Sequence, residues 1–95
     1  TGASILLCDP ETNELYFPFV AEDDPAVLAR LLELRFPADR GIAGWVLKHG
    51  EAVRVDDVQS DPRFFGGVDV ETGFTTRSLL CAPLRTASGN IGVIE

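Results

Sequence analysis

Residues 64–84 read FFGGVDVETGFTTRSLLCAPL, the most informative run of the chain. Two phenylalanines and two adjacent glycines open the run, and two carboxylates, three threonines and an arginine follow before the apolar stretch 78–84. That stretch has the composition of a β-strand. Polar groups that converge at the edge of an apolar sheet are how small-molecule pockets are usually built. We therefore expect a ligand pocket at this segment. The alternative is an ordered loop that only covers the core.

The composition is that of an ordinary single globular domain. The chain has 95 residues, of which 45% are hydrophobic and 24% charged, which is enough for one core. The net charge of −7 argues against nucleic acid and anionic membranes as partners, because phosphate binding needs clustered Lys and Arg. No apolar run approaches the roughly 18 residues of a membrane span, and no signal peptide is visible. We expect a cytoplasmic location.

The two cysteines allow one disulfide at most. Cys8 and Cys81 each lie within an apolar, strand-like run, so both are expected to be free, buried side chains that act as small hydrophobes. Neither belongs to a Cys-x-x-Cys or His-Cys cluster. The sequence therefore predicts no metal site and no cofactor.

The first half of the chain predicts a hairpin and a helix. Segments 3–8 and 14–20 read as two antiparallel strands joined by a turn. Pro18 cannot donate a ladder hydrogen bond, so the second strand should be an edge strand or carry a break. Asp24 has the character of an N-cap, and the apolar spacing after it predicts an amphipathic helix over 25–34.

A second short helix is predicted over 41–50. Four side chains share one of its faces, namely Ile42, Trp45, Val46 and His49, and we expect Trp45 to pack in the core. Gly50 suits the left-handed position after the last turn. Gly41 and Gly44 are poor helix formers, which indicates a close approach to another backbone or to a ligand.

The second half of the chain predicts three more strands. These are 52–55, a long central strand over 77–85, and 91–94 after a hairpin turn, with one helical turn at 60–64. The order of elements predicts an α+β fold, a central antiparallel sheet of about five to six strands with helices and loops on its faces. No terminal helix is present in residues 1–95. We therefore expect a single domain that is truncated at both ends, with one face of the sheet uncovered.

Three motifs carry a family resemblance. They are PADRGIAGWV at 37–46, the Asp-rich segment 56–64, and the run 69–94 that ends in IGVI. In this order they resemble the GAF domain, a sensory module of phosphodiesterases, adenylyl cyclases and sensor kinases. The motifs are most similar to those of the cyclic-nucleotide-binding members. The resemblance implies a GAF/PAS-like fold in which the ligand lies under a helix and a loop that close over the sheet.

The resemblance also implies a set of ligand-binding residues. By motif they are Ser4, at the purine, Ile42 and Ala43, whose amides approach the cyclic phosphate, Phe65, in the pocket wall, and Asp69, Thr72 and Thr76, which contact the nucleotide. The chain departs from these relatives in two places. It ends before their downstream Asn-Lys…Phe…Asp-Glu signature, and residues 21–36 match none of their contacts.

The spacing of the last three residues leaves two interpretations open. Asp69, Thr72 and Thr76 are three and four residues apart, so a helical turn would place them on one face toward a ligand. Gly66-Gly67 would then let the segment close as a lid. In the other interpretation Asp69 caps this turn and the threonines bond their own backbone.

Nothing in the sequence indicates catalysis. The single histidine, His49, lies near a helix C-terminus, where it is more often a favourable charge than a base. Asp56, Asp57 and Asp61 read as solvated acids and a cap. A bilin would need an exposed pocket cysteine, and a haem an axial ligand. The resemblance therefore implies a regulatory input domain that binds a small molecule, dimerises, and acts on an output domain in the same longer chain. The alternative is a ligand-free GAF fold that serves as a dimerisation module.

Overall fold

The fold is an antiparallel sheet with helices packed on one face. The computed structural model describes residues 2–72 and 76–95. In these residues six strands form one sheet in the order β3-β2-β1-β6-β5-β4, which confirms the α+β prediction. The elements are β1 (Ala3–Asp9), β2 (Glu14–Ala21), α1 (Pro25–Glu33), β3 (Arg35–Pro37), α2 (Gly41–His49), β4 (Val53–Val55), a 3₁₀ turn (Val58–Ser60), α3 (Gly67–Thr72), β5 (Leu79–Thr86) and β6 (Gly89–Ile94). No helix in this part of the chain is long and apolar enough to cross a membrane.

The first hairpin forms as predicted, with a break at its proline. The register between β1 and β2 shifts between Ile5 and Leu7, so one extra residue of β2 bulges beside Pro18. The sequence pattern does not predict β3 and indicates only that α1 ends before Phe36-Pro37. Phe36 is 6% exposed, and its burial against the core holds a three-residue strand that no local pattern signals.

Both predicted helices are present with their predicted ends. The Asp24 carboxylate accepts hydrogen bonds from the amides of Ala26 at 2.9 Å and Val27 at 3.4 Å. Gly50 has a φ of 69° and ends α2. The expectation for Trp45 was wrong in part: the indole is only half-buried, and Val46 occupies the core position beside it.

The second half of the chain differs from the prediction in its short elements. A single turn forms within the expected segment 60–64, where the Phe64 amide donates to the Asp61 carbonyl at 3.1 Å. The 3₁₀ turn at 58–60, which the sequence does not predict, precedes it, and there the Asp57 carboxylate accepts a hydrogen bond from the Gln59 amide at 3.2 Å. Strand β5 begins two residues later than predicted, and its outward face is open: Leu80 is 66% exposed. Two-sided burial of this strand was therefore wrong, although it is an interior strand of the sheet.

The two faces of the sheet have different surroundings. The inner face and the helices bury one cluster: Leu6, Leu15, Phe17, Phe36, Ala38, Ile42, Ala43, Val46, Val55, Val58, Cys81 and Val93. On the outer face Phe19, Ile5 and Ile94 are successive partners across β2, β1 and β6. Phe19 is 62% and Ile94 44% exposed. Among the described residues this face has no covering element.

Candidate functional site

A cleft of about 520 Å³ lies between the inner face of the sheet, α1, the start of α2 and α3. We call it the main cleft. Six of the seven predicted site residues line it, namely Ser4, Ile42, Ala43, Phe65, Asp69 and Thr76. The seventh, Thr72, ends α3, and its side chain lies outside the described residues, as do all atoms of 73–75. Segments that are far apart in the sequence therefore meet at one concave surface.

One wall of the main cleft is aromatic. The ring of Phe36 lies 6.2 Å from that of Phe17 and 5.8 Å from that of Phe65, with tilted planes. Such tilted pairs are favourable and fix the ring positions. Phe65 is therefore held by Phe36 and contributes a flat, apolar surface to the cleft, which is the surface that a planar ligand would contact.

The N-terminus of α2 opens onto the same cleft. The first amides of a helix have no intrahelical acceptor, and among the described residues no side chain caps this helix at Arg40. The amides of Ile42 and Ala43 lie at this end, as the resemblance implies. An uncapped helix N-terminus attracts anions.

The two glycines of α2 lie close to neighbouring protein atoms. A Cβ on Gly44 would lie 2.8 Å from the carbonyl oxygen of Ala38, and one on Gly41 would lie 3.1 Å from the Cβ of Phe65. Gly41 also has a φ of 74°. Close backbone packing therefore accounts for Gly44, whereas Gly41, which also lines the main cleft, is compatible with both interpretations.

Asp69 and Thr76, which both line the main cleft, are joined by a pair of short hydrogen bonds. The Asp69 carboxylate accepts from the Thr76 amide and from the Thr76 hydroxyl, both at 2.7 Å. On the other side, the carbonyls of Thr76 and Arg77 accept from the Gln59 side chain at 3.3 Å and the Val58 amide at 2.9 Å. Asp69 thus has a local structural role, although Thr76 donates to Asp69 and not to its own backbone.

Glu95 is a cleft residue that the sequence analysis missed. Its backbone pairs with that of Ser4 through two 2.9 Å hydrogen bonds, and both residues line the main cleft. Burial raises the pKa of the Glu95 carboxyl to about 7. The sequence pattern that could have predicted this position is the alternation along β6, which places Val93 and the next residue but one, Glu95, on the inner face. It could be used only once the pairing of β6 with β1 was known.

Charged side chains of both signs surround the main cleft. Arg40 and Arg77 line it, together with Glu22, Asp69 and Glu95. No group of three or more His, Cys, Asp or Glu side chains that could hold a metal ion occurs in residues 2–72 and 76–95. The arrangement offers hydrogen-bonding groups of both kinds around an apolar wall.

Comparison with known proteins identifies the family. The sequence model of a protein family described as "GAF domain" matches residues 2–95. The chain is a GAF domain. A probable 3′,5′-cyclic phosphodiesterase from Caenorhabditis elegans is 33% identical over 98% of this GAF domain, which spans 14% of that protein. A dual 3′,5′-cyclic-AMP and -GMP phosphodiesterase from Takifugu rubripes is 42% identical over 62% of the domain, or 6% of its own length.

Solved structures show the same GAF fold. The GAF domain of a phosphoenolpyruvate-protein phosphotransferase from Coxiella burnetii superposes with a TM-score of 0.82 at 18% identity, over 98% of this chain and 53% of its own. A free methionine-R-sulfoxide reductase from Neisseria meningitidis superposes with a TM-score of 0.75 at 25% identity, over 98% of this chain and 48% of its own. The domain thus spans about half of these chains and a small part of the phosphodiesterases.

Proposed function

We propose that this GAF domain is a regulatory input module that binds a cyclic nucleotide in the main cleft. It would act within a longer chain whose output domain performs the chemistry. The observation that carries the proposal is that six residues matched by motif to nucleotide contacts line one cleft. The similarity to cyclic-nucleotide phosphodiesterases supports the ligand class.

The chemistry of the cleft is compatible with each part of such a ligand. A volume of about 520 Å³ lies within the roughly 300–1,000 Å³ of small-molecule sites. The Phe65 wall suits a purine face, and the uncapped start of α2, with Arg40 nearby, suits a cyclic phosphate. Ser4 and Glu95 offer hydrogen bonds to the edge of the base. With a pKa of about 7, the Glu95 carboxyl can donate or accept at neutral pH.

Titration calorimetry of the full-length protein with cyclic AMP and cyclic GMP tests the proposal. We expect saturable heat and a thermal shift with at least one of them, and much weaker heat with 5′-AMP or 5′-GMP, which carry an extra negative charge and an open phosphate. Absence of heat and of thermal shift with both cyclic nucleotides would contradict nucleotide binding.

A matched pair of serine variants locates the site. Ser4→Ala removes one hydroxyl from the main cleft and should weaken nucleotide binding by about 0.5–1.5 kcal/mol, the usual value of one hydrogen bond. Ser88→Ala removes a hydroxyl from the exposed β5–β6 turn and should leave affinity unchanged. Equal affinity in both variants would remove Ser4 from the site.

The second candidate function is dimerisation through the outer face of the sheet. The observation that favours it is the exposed apolar row formed by Phe19, Ile94 and Leu80, since apolar patches of this kind usually mark contact surfaces. In this function the main cleft would be structural only.

Sedimentation of the 95-residue chain at increasing concentration tests the dimer. The double variant Phe19→Glu/Leu80→Glu should abolish association, because it places charge in the row. Leu32 is 50% exposed on α1, away from the sheet, so Leu32→Glu is the matched control and should associate like the wild type. A strict monomer at high concentration would contradict this function.

A further inference from the structure

A second concave surface adjoins the main cleft, with which it shares Arg40, Gly41, Phe64 and Phe65. It has a volume of about 730 Å³ and runs between the exposed side of α2 and residues 62–65. We call it the α2 groove. Its lining residues include the aromatic side chain of Trp45 and four basic or imidazole side chains, those of Arg40, Lys48, His49 and Arg63. Neither the proposed nucleotide site nor the outer sheet face uses these side chains, apart from Arg40 at the shared rim.

Trp45 is held in place by two neighbouring side chains. The guanidinium carbon of Arg63 lies 4.7 Å from the centre of the indole. The His49 ring stacks on the indole at 4.2 Å, with 17° between the planes. The Asp61 carboxylate orients Arg63 through bonds of 2.7 Å and 3.0 Å and lowers its own pKa by doing so. The groove is thus built before any partner arrives, which reduces the entropy lost on binding.

The charge of the α2 groove is opposite to that of the rest of the chain. Its thirteen lining residues include three Lys or Arg and a single acid, Asp39. Together with Asp61, which pairs with Arg63 at 2.7 Å, they carry a formal charge of +1. Because the whole chain carries −7, the remaining residues carry −8. Asp39 does little to neutralise the groove: its 3.6 Å pair with Arg40 joins side chains that are 78% and 62% exposed, and such pairs are weak.

We propose that the α2 groove binds an acidic peptide segment of a partner protein. Lys48 and Arg40 would meet its carboxylates, and Arg63 and Trp45 would contact its backbone and side-chain stems. A peptide fits better than a nucleic acid. Three cations in a chain that is otherwise strongly negative cannot offset the dense charge of a phosphate backbone. Local positive charge on an acidic domain instead gives orientation to an acidic partner.

The single tryptophan makes the test direct, because all indole fluorescence comes from the groove. The probe, called the glutamate peptide, is a ten-residue Gly-Ser peptide in which two residues are glutamate, and the neutral control is a ten-residue Gly-Ser peptide without glutamate, each titrated at 50 mM and 300 mM salt. We expect a saturable change in Trp45 emission with the glutamate peptide, at least threefold weaker at high salt, and no change with Gly-Ser.

Two charge variants localise the binding. Lys48→Gln should lower the affinity for the glutamate peptide by about threefold, as expected for the loss of one exposed charge pair. Arg54 is 79% exposed and pairs with Asp56 away from the groove, so Arg54→Gln should bind as tightly as the wild type. Loss of affinity in Arg54→Gln but not in Lys48→Gln would overturn the proposal.

Three further outcomes would also overturn it. They are unchanged Trp45 emission after addition of the glutamate peptide, tighter binding of a ten-residue oligoadenylate than of that peptide, and an emission maximum that shifts with protein concentration alone. The last would place a second copy of the chain in the groove.

Discussion

Glu95 shows how strongly one side chain depends on its surroundings. Burial raises its pKa from 4.5 to about 7, so between these values the folded state binds more protons than the unfolded state. Its contribution to the free energy of unfolding is therefore fully present below pH 4.5 and is lost as the pH rises through 7. Asp61 affects the pH dependence of stability in the opposite direction. Hydrogen bonds from Arg63 lower the pKa of its carboxyl, so its contribution to the free energy of unfolding is lost only as the pH falls into the acid range.

We predict that the free energy of unfolding decreases between pH 5 and pH 7.5. Glu95→Gln should flatten this dependence, since the amide does not titrate. Urea unfolding at half-unit pH steps measures both chains. A wild-type curve that rises over this range, or one that is unchanged in Glu95→Gln, would show that another group controls the titration.

The two thiols should differ sharply in reactivity. Cys81 is fully buried, and burial together with the Glu95 charge raises its pKa to about 12. At pH 8 only about one thiol in ten thousand would be ionised. Cys8 is half-buried, which corrects the expectation that both are core residues, and its pKa is raised mainly by burial.

We predict that iodoacetamide modifies Cys8 well before Cys81 in the native protein. Mass spectrometry of tryptic peptides at intervals measures both rates, and urea should make them equal. Equal rates in the native state would mean that β5 opens readily.

Helix α1 depends on one cap. Asp24 accepts from two amides at the start of the helix, and Pro25 takes the first helical position, where no amide hydrogen is needed. We predict that Asp24→Ala lowers the free energy of unfolding by about 1 kcal/mol. Asp23→Ala removes the same charge next to it and should have little effect. Chemical denaturation of the two variants is the measurement, and equal losses would indicate a charge effect only.

The two halves of the sheet, β3-β2-β1 and β6-β5-β4, are joined by the pairing of β1 with β6, which we call the seam. Each terminal hairpin forms from neighbouring residues, but β1 and β6 pair only along the short stretch from Ser4 to Leu7, with Leu6 opposite Val93. Leu6 is fully buried there. We predict that Leu6→Ala costs about 2–5 kcal/mol, the range for a buried leucine.

Leu80→Ala, on the open outer face, provides the comparison for the seam. It removes the same atoms from a side chain that is 66% exposed, so it should change stability by less than about 0.5 kcal/mol. Thermal unfolding of both variants is the measurement. Similar losses would mean that the outer face is covered in solution.

The sequence was informative where the signal was local. Hairpin turns, the Asp24 cap and the left-handed Gly50 are written in neighbouring residues, and all three formed as predicted. β3 and the cleft position of Glu95 could not be predicted, because both depend on pairing between distant strands. The half-buried state of Trp45 was missed for a similar reason. Helical spacing gave its face, but the covering residue, Arg63, comes from another segment.

The seam between β1 and β6 also sets an order of events during synthesis. β1 emerges from the ribosome well before β6 and must wait for it, because Ile5 pairs with Ile94. Until then the inner edge of the first hairpin is unpaired, and unpaired edges are open to wrong partners. Contacts between such distant residues also make folding slow. We therefore expect this part of the nascent chain to be most prone to aggregation just before β6 is released.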